Sequence, residues 1–227
     1  MSTFAVVGAG PGLGLAAARR FGAAGYPVAL IARSGERLAE LTACLSRDGV
    51  HVGAFPADVL DRASLTAALR NAADALGPVE ILQFSPVPRA DFMKPVLDTS
   101  VDDLEAPLDF SVKGPITAVN TALPGMRALG RGTVLFVNGG SAVRPHPGRA
   151  GTSIAFAAES AYARMLHEAL APDNIHIAQL IVPGAIRPDA ENSSPDILAE
   201  RLFDIHITRD GFRHFAEPME PADREAR

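Results

Sequence analysis

A glycine string set between a short apolar run and a helical pattern constrains this chain more than any other feature. Phe4-Ala5-Val6-Val7 reads as a buried strand, Gly8-Ala9-Gly10-Pro11-Gly12-Leu13-Gly14 follows directly, and Leu15 to Phe21 reads as a helix. Glycines let a backbone approach a ligand with no Cβ in the way. The first turn of the helix presents unpaired N–H groups and the positive end of its dipole to the same place. A glycine-spaced string alone is weak evidence. Strand, glycine turn and helix in that order, within about thirty residues, form a fingerprint for the phosphates of a dinucleotide. The competing reading is a glycine-rich turn that binds nothing.

The rest of the chain repeats the alternation. Apolar runs at 27–32, 50–55, 79–84, 132–138 and 175–182 read as further strands, and each is closed by a turn or breaker. Helices are expected after Ser34, from Asp61 to about Leu76, over 108–129, over 152–171 and from Ser194 to about Ile205. Ser34, Asp61 and Ser194 are the candidate caps, and Pro115 and Pro124 are candidate kinks in the long helix. A last short strand is expected near 212–215, and the tail after Pro218 is charged and expected to be loose. Apolar strands without polar alternation, each followed by a helix, mean a parallel sheet covered on both faces. The fold class is therefore α/β, a doubly wound parallel sheet of Rossmann type, in a single domain over 1–227. Ligands of such sheets sit beyond the carboxyl ends of the strands. The loops after Val7, Ile31, Phe55, Phe84, Asn138 and Val182 are therefore the ones that matter.

Composition narrows the partners. The 227 residues are 48% hydrophobic, enough for a real core, and carry a net charge of −5 with a pI near 5.7. With no basic run or aromatic-interleaved patch, nucleic acid and anionic membrane are poor partners. Cys44 stands alone, so no internal disulfide forms, and no cysteine–histidine cluster suggests a metal. The first residues read as a strand rather than a signal, and no apolar run has membrane-spanning length, so a cytoplasmic setting is expected.

An acidic residue about twenty positions past the glycines would take the ribose 2′-hydroxyl of NAD. That stretch is Ile31-Ala32-Arg33-Ser34. A guanidinium pairs with a 2′-phosphate and Ser34 can add a hydroxyl, so NADP is expected over NAD. The alternative for Arg33 is a solvated residue at a helix start. Asp58 is placed either to accept from the adenine amino group or simply to close a turn.

Over almost its whole length the chain resembles the short-chain dehydrogenase/reductase family. Gly8-x-x-x-Gly12-x-Gly14, Asp58-Val59, Leu123-Pro124, the strand from Gly132, Glu168 to Pro172 and Pro183-Gly184 fall where that family has similar pieces. The resemblance implies cofactor contacts at Gly8, Gly10, Pro11, Gly12, Leu13, Gly14, Arg33, Ser34, Asp58, Val59, Phe84, Ser85, Pro183 and Gly184. It also implies a homo-oligomer paired through the helices at 108–129 and 152–171, with Ala157, Ala158 and Ala161 permitting close approach.

The family's chemistry rests on an Asn, a Ser, a Tyr and a Lys. The tyrosine is the acid or base at the substrate oxygen, and the lysine lowers its pKa and holds the nicotinamide ribose. The serine orients the substrate oxygen, and the asparagine holds a water in the proton relay. Carried over by position, the asparagine becomes Ser111, the serine Gly139, and the Tyr-x-x-x-Lys pair Gly151 and Ala155. A one-residue slip gives Thr152 and Phe156 instead. The only tyrosines are Tyr26 and Tyr162 and the only lysines Lys94 and Lys113, so no Tyr-x-x-x-Lys exists in this chain. The segment after the fourth strand, usually Asn-Asn-Ala-Gly, is Gln83-Phe84-Ser85-Pro86, and the usual threonine after Pro-Gly is Pro188.

These observations imply an NADP(H)-binding protein of this family without its standard mechanism. One alternative is an active oxidoreductase rebuilt around Ser111, Asn138, Ser141 and His146, with Arg144 and Arg149 available for an anionic substrate. Another is a partner-binding subunit that has lost the cofactor, suggested by Pro11 in the loop and Phe84 near the nucleotide path.

Overall fold

The computed structural model describes residues 1–219. The expected loose tail after Pro218 lies almost wholly outside them. Seven strands form one parallel sheet in the order β3-β2-β1-β4-β5-β6-β7. They are β1 (Thr3–Val7), β2 (Val28–Ala32), β3 (Val52–Pro56), β4 (Val79–Phe84), β5 (Gly132–Gly139), β6 (Ile175–Val182) and β7 (Arg213–Phe215). Every residue of β1, β4 and β6 is buried, as apolar runs without alternation require.

Successive side chains of β1 enter opposite layers. Ala5 and Val7 pack under α3 (Arg62–Leu76), α5 (Gly114–Leu129) and α6 (Ala150–Leu170). Phe4 and Val6 pack under α1 (Leu13–Ala23), α2 (Gly35–Arg47) and α7 (Pro195–Thr208). The chain is thus doubly wound, and the strand order reverses at β1, between β2 and β4. That reversal opens a crevice at the carboxyl ends of β1 and β4, directly at the glycine string.

Two of the three expected caps are made. Ser34 Oγ accepts from Arg37 N at 3.2 Å, and Asp61 Oδ1 accepts from Ala63 N and Ser64 N at 3.0 and 3.1 Å. Ser194 stands at the N-cap of α7 but its side chain caps nothing. Pro195 in the first turn of that helix lacks the N–H that would otherwise need a partner. The long helix also departs from expectation. A short helix α4 (Glu105–Leu108) runs through a π-helical turn, Asp109–Lys113, into α5. The irregularity precedes Pro115, which sits in the first turn of α5 where a proline disturbs nothing.

Candidate functional site

Two clefts meet at the glycine string. A cavity of about 500 Å³ is lined by Gly8, Gly10 to Gly14, Ser85 to Pro88 and the end of β5, with Thr152 and Phe156 of α6 behind. A second, of about 520 Å³, runs from the same glycines to Arg33, Ser34 and Arg37. Gly8, Gly10, Pro11, Pro86 and Val87 line both, so the two form one trough over the crevice.

The glycines divide by what holds them. Gly8 has φ +92, and a Cβ there would lie 2.5 Å from the N and Cα of Pro86. Its N–H donates to Ile31 O at 2.9 Å, and Ser85 N donates to Val7 O at 3.0 Å. The loops after β1 and β4 are therefore locked together through a residue that must be glycine. A Cβ on Gly14 would meet Ala9 Cα at 3.0 Å. Gly10 is different: φ is not positive and a Cβ would meet nothing within 4 Å. Neither dihedral angle nor packing demands glycine there. It borders the open trough, where a side chain would fill space that a ligand needs.

At the other cleft, Arg33, two residues before α2, is joined by Arg37 in the first turn of that helix. Its place in the first turn of the helix capped by Ser34 was the available signal for Arg37. Among the described residues, neither Arg33, Arg37 nor Arg149 takes part in an ion pair. Asp58 Oδ1 accepts from Leu60 N at 3.0 Å, so one carboxylate oxygen closes the turn after β3. Val59 lines the cleft beside it.

Phe84 lines neither cleft. Its ring is buried in the core 6.5 Å from that of Phe136. Ser85 does line the cavity, and Gln83 Nε2 donates to its Oγ at 2.8 Å. Gly184 borders the cavity while Pro183 does not.

Behind the glycine string, the start of α6 turns some of its residues to the cavity and others away. A Cβ on Gly151 would lie 2.7 Å from Phe92 O, so this residue faces the turn at 90–92, away from the cavity. Ala155 is buried and also off the cavity. Thr152 and Phe156 line it, and a Cβ on Gly139 would lie 3.8 Å from Phe156 Cε2. Gly139, Thr152 and Phe156 therefore share one wall. Thr152 is 6% exposed and its Oγ1 is buried without a partner.

The other candidates separate. Ser141 and Arg149 line the cavity. His146 does not: it is exposed, and its Nδ1 accepts from Gly148 N at 3.0 Å, closing the loop before α6. Ser153 Oγ accepts from His146 N at 3.0 Å in the same loop. Arg144 is exposed outside the cavity, and Ser111 is buried in the π-helical turn. Tyr162 packs its ring 6.4 Å from Phe136, and burial pushes its hydroxyl up to about 12. Tyr26 lies at the opposite end of the sheet, its hydroxyl 3.1 Å from His206 Nε2.

Asn138 does line the cavity, and a buried network fixes its orientation. Arg213 can only donate, and its Nε lies 3.1 Å from Gln179 Oε1. Gln179 Nε2 must then donate to Asn138 Oδ1, at 2.8 Å, which leaves Asn138 Nδ2 donating to Glu159 Oε2 at 3.1 Å. Burial raises the Glu159 carboxyl well above the ordinary glutamate range, and the Asn138 hydrogen bond only partly opposes this. Glu159 is 1% exposed and its Oε1 has no partner. Glu159, Gln179 and Arg213 were missed by sequence reasoning. A single Gln inside the apolar run of β6, and a Glu three residues after Phe156 on the same helix, were the signals.

Among the described residues no group of His, Cys, Asp and Glu could hold a metal ion, and no helix is long and apolar enough to cross a membrane.

Residues 2–197 match the family model described as short chain dehydrogenase. Glycine betaine reductase ATRR of Emericella nidulans is 34% identical over 63% of this chain, which spans only 11% of that protein. The 2,3-dihydro-2,3-dihydroxybenzoate dehydrogenase of Bacillus subtilis is 29% identical over 96% of this chain and 85% of its own length. The structure of L-sorbose reductase from Gluconobacter frateurii, complexed with NADPH and L-sorbose, superposes with a TM-score of 0.84 at 21% identity, over 94% of each chain. With the glycine string seated at the strand-order reversal of a seven-stranded parallel sheet, this chain belongs to the short-chain dehydrogenase family.

Proposed function

We propose that this protein binds NADP(H) in the trough and does not run the tyrosine–lysine mechanism of its family. The observation that carries this is the cavity wall, where Gly139, Thr152 and Phe156 stand together. Gly139 brings no hydroxyl. Phe156 brings no cation. The hydroxyl of Thr152 is a far weaker acid than a phenol, and among the described residues no lysine lines the cavity to lower its pKa. On this reading Ser111 stands at the fourth position, buried and off the cavity.

The cofactor half supports binding. Backbone N–H groups of the glycine loop and the start of α1 would hold the pyrophosphate, and Arg33 and Arg37 would hold the 2′-phosphate. When bound, the nicotinamide supplies or accepts a hydride. A fold neighbour, L-sorbose reductase, holds NADPH. NADPH consumption against a panel of aldehydes and ketones tests the reading. The expected rates lie about 10²–10⁴-fold below those of a family member with a working acid–base pair. Ordinary family rates would overturn it.

A second reading keeps activity with other donors, and the unpartnered Thr152 Oγ1, on the same cavity as the fixed amide of Asn138, favours it. The donors would be Thr152, Asn138 and Ser141, without His146. Replacing Ser141 and Asn138 by alanine would then abolish turnover, and unchanged turnover would remove this reading. We also infer one domain over 1–227 and a homodimer through the outer face of α6, where Ile154, Ala157, Ala161 and Met165 are exposed. Ile154→Asp with Met165→Asp should shift the sedimentation coefficient to that of a monomer.

A further inference from the structure

Beyond the glycine string the cavity has an unusual chemical balance. Pro86, Val87, Pro88, Met93, Phe156 and Ile186 give it apolar walls. Its mouth keeps this character, since Val87 is 84% exposed and Met93 41%. Among the described residues no Asp, Glu or Lys lines the cavity, and Arg149 is the one charged side chain that does. Arg149 stands at the N-cap of α6 and takes part in no ion pair among the described residues. The side-chain polar groups on the rest of the wall are the Asn138 amide and the hydroxyls of Ser85, Ser141 and Thr152.

Such a lining selects by exclusion. A cationic ligand would find no counter-charge and would meet Arg149. A polyol would leave most of its hydroxyls against hydrocarbon, and each unsatisfied one costs free energy on transfer from water. An apolar molecule with a single anionic end has neither problem. Its body removes exposed apolar surface from water, and a planar carboxylate matches the fork of a guanidinium that has no other partner. We propose that this cavity takes a small carboxylate with a hydrocarbon body, the carboxylate on Arg149 and the body along Val87, Met93, Phe156 and Ile186. This names the substrate class for the site, and it rests on the proposed function only in assigning the glycine-string end to the cofactor.

The test is calorimetric titration of the whole protein with octanoate, 1-octanol and acetate, without and with saturating NADPH. Octanoate should bind at least about tenfold more tightly than octanol, since a charge-assisted hydrogen bond is lost in the alcohol, and acetate more weakly than either. Arg149→Gln, at an exposed position, should bring octanoate down to the affinity of octanol. Val87→Asn should weaken octanoate and leave acetate unchanged. Octanol binding as tightly as octanoate, acetate binding as tightly as octanoate, or no octanoate binding at all would each overturn the proposal. So would Arg149→Gln weakening NADPH while leaving octanoate unchanged, because Arg149 would then serve the cofactor. Octanoate binding by a protein that binds no NADPH would sustain this proposal while the cofactor reading failed.

Discussion

The two halves of the trough are built differently. At the glycine string the backbone dictates the residue: Gly8 has φ +92 and sits against the backbone of Pro86. On the opposite wall the side chains dictate the surface, with Phe156 packed beside Gly139 and against Ala142 and Ile181 much as in a protein interior. The contrast teaches that a glycine-rich loop has two kinds of glycine. Gly8 is required by the fold itself and says nothing about a ligand. Gly10 has open space where its Cβ would be and borders the trough, so its packing leaves it free to serve a ligand.

The sharpest way to break this comparison is Gly8→Ala. A Cβ 2.5 Å from two backbone atoms at a positive φ should destabilise the fold by at least about 3 kcal/mol. Denaturant unfolding reads this directly, and an unchanged midpoint would contradict the account of the loop.

Glu159 offers the next largest effect. Glu159→Ala removes the acceptor of a buried amide and should cost about 2 kcal/mol. The pH dependence gives the sign. Unfolded, the carboxyl loses its proton near the ordinary 4.5; folded, burial keeps the proton to a much higher pH. The folded state therefore binds more protons above that value, and the group's contribution to stability falls as pH rises from there toward the folded pKa. Glu159→Gln should remove this decline. Urea midpoints of the wild type and the variant would diverge with rising pH, and parallel curves would mean that Glu159 is not held neutral.

Smaller effects separate the halves. Gly10→Ala should change stability by no more than about 0.5 kcal/mol and yet weaken NADPH binding, because its Cβ enters the trough rather than the core. Arg33→Ala and Arg37→Ala should each lower the preference for NADPH over NADH by about tenfold, with little effect on NADH itself. Equal losses for both cofactors would mean that the arginines do not read the 2′-phosphate.

These features differ in how far the chain alone revealed them. The strands were legible because an apolar run and the breaker that ends it lie within a few residues, and β4 and β6 fall at the expected positions. So was the crevice, since the glycine string announces the first strand-to-helix turn. The opposite wall was not. Counting from distant anchors does not say which residues of α6 face the cavity; Gly151 turns toward Phe92 O and Thr152 toward the cavity. His146 had suitable chemistry, but a side chain that closes its own loop through Gly148 N cannot also face the cavity. The π-helical turn at 109–113 was invisible because a shift of hydrogen-bond register leaves no residue-type signature, and Pro115 drew attention away from it. The buried network was half visible: Gln179 in an apolar strand is conspicuous, but its partners come from α6 and β7.

The central claim is that the cofactor half works although the catalytic wall does not. Calorimetric titration of the purified protein with NADPH and with NADH tests it most directly. The account predicts saturable binding of NADPH, tighter than that of NADH. Binding of neither would mean that the glycine loop serves only the fold, and would contradict the account.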